Sequence, residues 1–358
     1  MRTFSSLVGL VSAALLLPLA TAQTYTSCNP LKASCSPDSA LGKTVNIDFT
    51  SGASDSFTAQ GSPQYTKDGV SFSVAKSGDA PTLISKWYIM FGRVDVVMKA
   101  APGTGIVSSF VMQSDDLDEI DWEWLGGDDS QVQSNYFGKG QTTTYNRGAF
   151  HPNAGNHDAF HTYTVIWTAS QIVWQIDGVT VRALAPKDAN NQYPQTPMQI
   201  KMGIWSGGDP SNAPGTIQWA GGYTDYTKGP YTMVVKSLKV QDYSTGTQYV
   251  YGDQTGTWES IKAVGGSVNS GGSTTEVAAP AITSSSSGQP QVYPWVPLSS
   301  TLSTATVSAT NLPGLPSGWT VSSSGKLIPP SSQATVSKMP SYIPVIIAIV
   351  QALIFCLW

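Results

Sequence analysis

The sequence predicts an all-β fold, a sandwich of two packed antiparallel sheets, on three observations. Apolar and polar residues alternate at period two in segment after segment, as in strands that bury one face. Turn chemistry such as Pro102-Gly103, Gly126-Gly127-Asp128-Asp129 and Asp177-Gly178 separates those segments. No stretch sustains an apolar period of the helical kind, so packed sheets are the layer architecture that remains.

The chain opens with Met1-Arg2, an apolar run from Leu7 to Leu19, and Ala20-Thr21-Ala22. These are the parts of a secretory signal over residues 1–22, which places the mature start at Gln23. Cys28 and Cys35 form an even pair that can close a small loop, as exported proteins favour; two free thiols are the alternative. The first alternating strand has Val70, Phe72 and Val74 against Ser71 and Ser73. A second sets Val94, Val96 and Met98 against Arg93, Asp95 and Lys99, and the run from Gly105 to Met112 leads into a third segment.

That segment, Asp118-Glu119-Ile120-Asp121-Trp122-Glu123-Trp124, places Glu119, Asp121 and Glu123 on one side and Ile120, Trp122 and Trp124 on the other. The turn at Gly126 to Asp129 then parts Val132, Ser134 and Tyr136 from Gln133, Asn135 and Phe137. Amides beside carboxylates suit sugar hydroxyls, so Gln133 and Asn135 are expected on the acidic face. His161, Tyr163, Val165 and Trp167 alternate along another strand, and Asp177-Gly178 between apolar runs reads as a hairpin. His161 fits a hydrogen-bonded structural histidine better than a catalyst. Ile200, Met202 and Ile204 make an apolar face opposed by Gln199, Lys201 and Trp205. An exposed Trp205, with Trp219, presents indoles on which pyranose rings can stack; ordinary core packing is the alternative for each.

From Ala263 to Lys338 only Glu276, Lys326 and Lys338 are charged, amid Ser, Thr, Gly and Pro. Such a segment cannot bury enough apolar surface to offset chain entropy, and it reads as a disordered, O-glycosylated stalk over residues 263–338. The tail over residues 339–358, nearly all apolar from Tyr342, fits a cleaved signal for a GPI lipid anchor, attached between Ser317 and Ala334. A true tail anchor is the alternative. The folded unit is then residues 23–262, about 240 residues, a size that a single β-sandwich reaches. A net charge of −4 and a pI near 5.3 give no reason to expect nucleic acid as partner. His151, His157 and His161 have no paired-ligand spacing, so neither a metal nor another cofactor is expected.

Three carboxylates on one strand face repel, which favours a proton on at least one and unequal affinities for it. On a flat strand the Cα atoms of Glu119 and Glu123 lie about 13 Å apart, whereas a retaining glycosidase needs its carboxyl groups ~5–5.5 Å apart. The strand must bend and the side chains lean together. Glu119 is then the nucleophile, Glu123 the acid/base, and Asp121 the helper between them. Water or a second sugar can complete the reaction, and transfer wins when an acceptor is held firmly in line.

The E-x-D-x-E pattern of this strand is similar to that of glycoside hydrolase family 16. Further matches are the Tyr88 to Val94 run, the Val132 to Gly140 run, Phe160-His161-Thr162-Tyr163 with Trp167, and Ile204-Trp205 followed by Trp219. Cys28/Cys35, the Gly256 to Ile261 segment and the Ser/Thr-rich tail resemble the fungal Crh (Congo-red-hypersensitive) cell-wall proteins. The resemblance implies a β-jelly roll with a concave carbohydrate-binding cleft. It implies a monomeric transglycosylase that cuts chitin and passes the new end to β-glucan. It supports the same roles for Glu119, Asp121 and Glu123, puts Trp219 near the acceptor sites, and adds Lys139 to Gln133, Asn135 and Trp205 as sugar-binding residues. Some members carry a Cys-rich chitin-binding module, which two mature cysteines cannot build. A hydrolase of the same fold and a non-catalytic sugar-binding wall protein are the competing readings.

Overall fold

A computed structural model describes residues 26–142 and 144–271, and the backbone of 320–321 and 327–328. The signal over 1–22, the GPI attachment region, the tail and nearly all of the stalk lie outside the described residues. The strands run β1 (Asp38–Ser39), β2 (Thr44–Asp48), β3 (Phe57–Gln60), β4 (Gln64–Thr66), β5 (Gly69–Val74), β6 (Thr82–Ser85) and β7 (Gly92–Lys99). Then come β8 (Ile106–Ser114), β9 (Glu119–Leu125), β10 (Gln131–Phe137), β11 (Ala149–Pro152), β12 (His161–Trp167), β13 (Ile172–Ile176) and β14 (Val179–Leu184). The last are β15 (Met198–Ser206), helix α1 (Pro214–Trp219), β16 (Tyr231–Asp242), β17 (Gln248–Tyr251) and β18 (Ile261–Val264).

Two antiparallel sheets form the sandwich. One has seven strands in the order β11-β10-β9-β8-β15-β6-β3; the other runs β14-β13-β12-β7-β16-β5-β4, with β2 also paired to β16. A small sheet, β1-β17-β18, completes the body, and Thr320–Val321 pairs with Leu327–Ile328 in a separate unit. The crossing order, in which β8 pairs with β15, comes from long-range contacts that no local pattern announces.

Alternation locates the core as expected. Val70, Phe72, Val74, Val94, Val96 and Met98 are fully buried, and so are Ile120, Trp122 and Trp124. The two indoles of β9 stack at 6.4 Å, and Tyr163 from β12 of the opposite sheet meets Trp124 edge-on at 4.6 Å. A buried Trp removes about 200 Å² from water, worth roughly 5 kcal/mol as an upper figure. Anchorage on that scale keeps the strand in register despite three acids on its other side. The indole of Trp174, on β13, donates to the Asp121 carbonyl at 3.2 Å and pins the same strand from below.

The predicted hairpin joins β13 to β14. Asp177 and Gly178 both have positive φ (49° and 80°), as a tight two-residue turn requires. His161 Nδ1 lies 2.7 Å from Asp177 Oδ2 at this turn, the structural role expected of it. Cys28 and Cys35 are disulfide-bonded with Cα atoms 5.9 Å apart. The fold does not stop at Lys262: β18 runs through Val264, Asn269 N donates to Ser244 Oγ, and Ala169 N donates to Ser270 O. The first eight residues assigned to the stalk therefore belong to the folded body, where β18 pairs with β17 and Ala263 and Val268 pack against the core.

Candidate active site

The acidic row is assembled by register. Glu119, Asp121 and Glu123 of β9 face Gln113, Val111 and Ser109 of β8 on one side. On the other they face Phe137, Asn135 and Gln133 of β10. Next to β8, β15 sets Gln199, Lys201 and Gly203 against Gln113, Val111 and Ser109. Residues directly opposite share a face, so these side chains line the open face of the seven-stranded sheet. All nine residues of β8 are buried although only alternate ones point into the core, which makes this strand the floor of the site.

Glu119 is 7% exposed, and its Oε2 accepts from Gln113 Nε2 at 2.8 Å. Gln113 Oε1 in turn accepts from Lys201 Nζ at 2.5 Å. Burial above all, then the charges of Glu119 and Glu123, pushes the Asp121 carboxyl well up from its ordinary value. Both oxygens of the Asp121 carboxyl are buried without a hydrogen-bond partner. Burial, then the charge of Glu119, pushes Glu123 up to about 8. Burial and mutual repulsion thus raise the proton affinity of Asp121 and Glu123 within the row.

On the Glu123 side, Gln133 is buried, and its Oε1 accepts from the indole of Trp219 at 3.2 Å. A side chain on Gly148 would bring its Cβ to 2.8 Å from the Gln133 amide nitrogen, so glycine there leaves room for this contact. Trp205 and Trp219 stack at 6.1 Å with 27° between their planes, over Val107, Leu125 and Ala220. Both indoles are half-buried rather than exposed, since this small apolar cluster supports them from beneath. Trp219 ends the short helix α1, which starts on Pro214; proline at a first helical position was the available signal for it.

Asn135 lies opposite Asp121 as expected, its Oδ1 accepting from Tyr136 N at 3.0 Å. Lys139 sits elsewhere. Its Nζ lies 2.9 Å from Asp116 and 2.7 Å from Asp118, whose side chains are both fully buried. An ammonium engaged by two carboxylates is a clasp of the turn before β9. Cofactor ligands are not evident: among the described residues, no group of three or more His, Cys, Asp or Glu side chains could hold a metal.

Sequence reasoning missed Gln113 and left Lys201 without a role. A hairpin centred on Leu117, whose φ is 67°, pairs Gln113 with Glu119, and counting back from the acidic strand would have found it. Lys201 is 4% exposed and lies across from Ile84 of β6 and Val111 of β8. Burial pushes its ammonium down to about 8, with Glu119 and Asp115 pulling the other way.

The model of the glycosyl hydrolases family 16 matches residues 51–221. Crh-like protein 4 of Aspergillus fumigatus is 54% identical over 93% of this chain and 78% of its own. Crh-like protein 4 of Botryotinia fuckeliana is 56% identical over 87% of each. Among solved structures, a Crh5 transglycosylase in complex with NAG is 52% identical, covered completely, and spans 66% of this chain with a TM-score of 0.65. The chain belongs to the Crh-like proteins of glycosyl hydrolases family 16, and it is an enzyme of the glycosidase or transglycosylase class.

Proposed function

We propose that this Crh-like member of family 16 is a retaining transglycosylase that cleaves chitin and transfers the new end to β-glucan or chitin in the fungal cell wall. The single observation that carries the mechanism is the row of three acids, Glu119, Asp121 and Glu123, on one inward-set strand face. Glu119 attacks the anomeric carbon. Glu123, kept protonated by burial and by the charge of Glu119, gives its proton to the leaving oxygen. Once Glu119 is a neutral glycosyl ester, one cause of the raised Glu123 value is gone. Glu123, a carboxylate since it gave up its proton, is then stable in that form and takes the proton of the incoming hydroxyl. Asp121, between the two glutamates on the same strand face and with its proton affinity raised by burial, steadies the nucleophile between the two steps.

Transfer over hydrolysis is supported by the Trp205–Trp219 pair, fixed to the Glu123 side of the row through Gln133. Stacking holds an acceptor ring where water would otherwise compete. The relative solved with NAG bound points to an N-acetylglucosamine donor. Residues 1–22 are read as a secretion signal, the Ser/Thr-rich segment as a glycosylated stalk and the apolar tail as a GPI signal, with the body acting as a monomer at the wall. Among the described residues no helix is long and apolar enough to cross a membrane.

The test is to incubate the protein with chitin oligosaccharides and a fluorescent β-1,3-glucan oligosaccharide and to analyse products by mass spectrometry. Hybrids of both sugars that vanish in Glu119→Gln are expected. Shortened chitin without hybrids would make the protein a hydrolase.

A further inference from the structure

We infer that Lys201, acting through Gln113, is a positioning residue that keeps Glu119 ionised and fixes its rotation for attack. This rests on the reading of Glu119 as nucleophile. The geometry is a chain of directed bonds: Lys201 Nζ donates to Gln113 Oε1, and Gln113 Nε2 donates to Glu119 Oε2. An amide has one acceptor end and one donor end. With its oxygen turned to the ammonium, Gln113 must present its N–H to the carboxylate, so the lysine also decides which way the amide points. Such a bond favours the charged form of the acid that accepts it.

The placement of Lys201 argues against a purely structural role. Gln113 and Lys201 are 2% and 4% exposed. The lysine lies on the sheet between Ile84 and Val111, where an apolar side chain would pack without the several kcal/mol that a buried ammonium costs. A charge kept in such a place acts on what surrounds it. The groups that face it are Gln113, Glu119 and Asp115; Tyr88 donates to Asp115 Oδ1 at 2.9 Å. Of the two carboxylates, Glu119 is the one the amide ties to it. Lys201 has a second consequence. By holding negative charge on Glu119 it sustains the repulsion that keeps the proton on Glu123.

The test uses the full-length chain, which has only four glutamates, labelled with carboxyl-¹³C glutamate; Glu119→Gln identifies the Glu119 signal. In Lys201→Met the Glu119 signal is expected to titrate about one pH unit higher. The acid limb of kcat/KM moves up with it, kcat falls about tenfold, and KM for the donor stays the same. Gln113→Leu, which keeps the lysine but cuts the link, is expected to shift both readouts in the same direction by less, and it serves if Lys201→Met does not fold. An unmoved titration and acid limb in both folded variants would overturn the inference. So would a raised KM with the acid limb unmoved, the sign of a direct sugar contact. If the wild type forms no product from chitin, the substrate reading fails while the carboxyl titration still decides the role of Lys201.

Discussion

Two acid clusters lie next to each other in the chain, and they handle buried charge in opposite ways. Asp116 and Asp118, in the turn before β9, are closed on every side. Lys139 bridges them, Ser114 and Thr196 donate to Asp116, and Gln195 N and Thr196 donate to Asp118. Glu119, Asp121 and Glu123, on the strand that follows, have raised proton affinities at two of three positions. The first cluster is tied down by one ammonium and by hydroxyl and backbone donors, so that the turn holds. The second keeps its charges unequal, and the difference between its members is its chemistry. The lesson is that a buried carboxylate alone marks neither role; what its partners leave undone does.

The comparison breaks most severely at Glu123. Glu123→Gln is expected to lower turnover of unactivated chitin by ~10²–10⁴-fold, the usual worth of a general acid, read from initial rates. The same change in the clasp is a matter of stability. Lys139→Met leaves two buried carboxylates without their cation, and removing one partner of a buried pair costs about 3–5 kcal/mol. Burial first, and then Asp116, already pushes Asp118 up to about 6 with the lysine in place. Without it the folded value rises further above the unfolded one, so the deficit grows as pH rises and shrinks below about pH 4. Denaturant titrations at pH 4 and pH 7 check this, and an equal deficit at both would contradict it.

The smallest effect has the opposite sign. Glu123 has a folded value of about 8 against 4.5 in the unfolded chain, so the folded state binds more protons and loses stability as pH rises through that window. Glutamine carries no such cost. Glu123→Gln is therefore expected to be more stable than wild type by roughly 2 kcal/mol at pH 7 and equal to it near pH 4. Melting curves at the two pH values decide it. A variant that gains stability while losing turnover marks the row as held against its own repulsion.

Much of this contrast was legible in the sequence, though unevenly. Alternation around Trp122 and Trp124 gave the strand, its buried side and all three acids, and parity after the Gly126 turn put Gln133 and Asn135 beside them. Those signals are local, because strand period and turn chemistry need only neighbouring residues. Lys201 reaches the row because β15 pairs with β8, some ninety residues away, and nothing near Lys201 records that pairing. Lys139 follows the same logic in reverse: its place in a run that resembles a sugar-binding segment says nothing of the two aspartates its ammonium meets. The half-burial of Trp205 and Trp219 also depends on Val107 and Leu125, which come from two other strands.

The central claim, that Glu119 forms a covalent bond to the donor sugar, is tested most directly by trapping. Glu123→Gln is given a chitin oligosaccharide with a good leaving group, which needs no acid for the first step, and the protein is analysed by intact mass and peptide mapping. The account predicts an added glycosyl mass on the peptide containing Glu119, which persists because the variant lacks the base for the second step. Product formed without any adduct, as when the acetamido group of the sugar serves as nucleophile, or an adduct on Asp121, would contradict it.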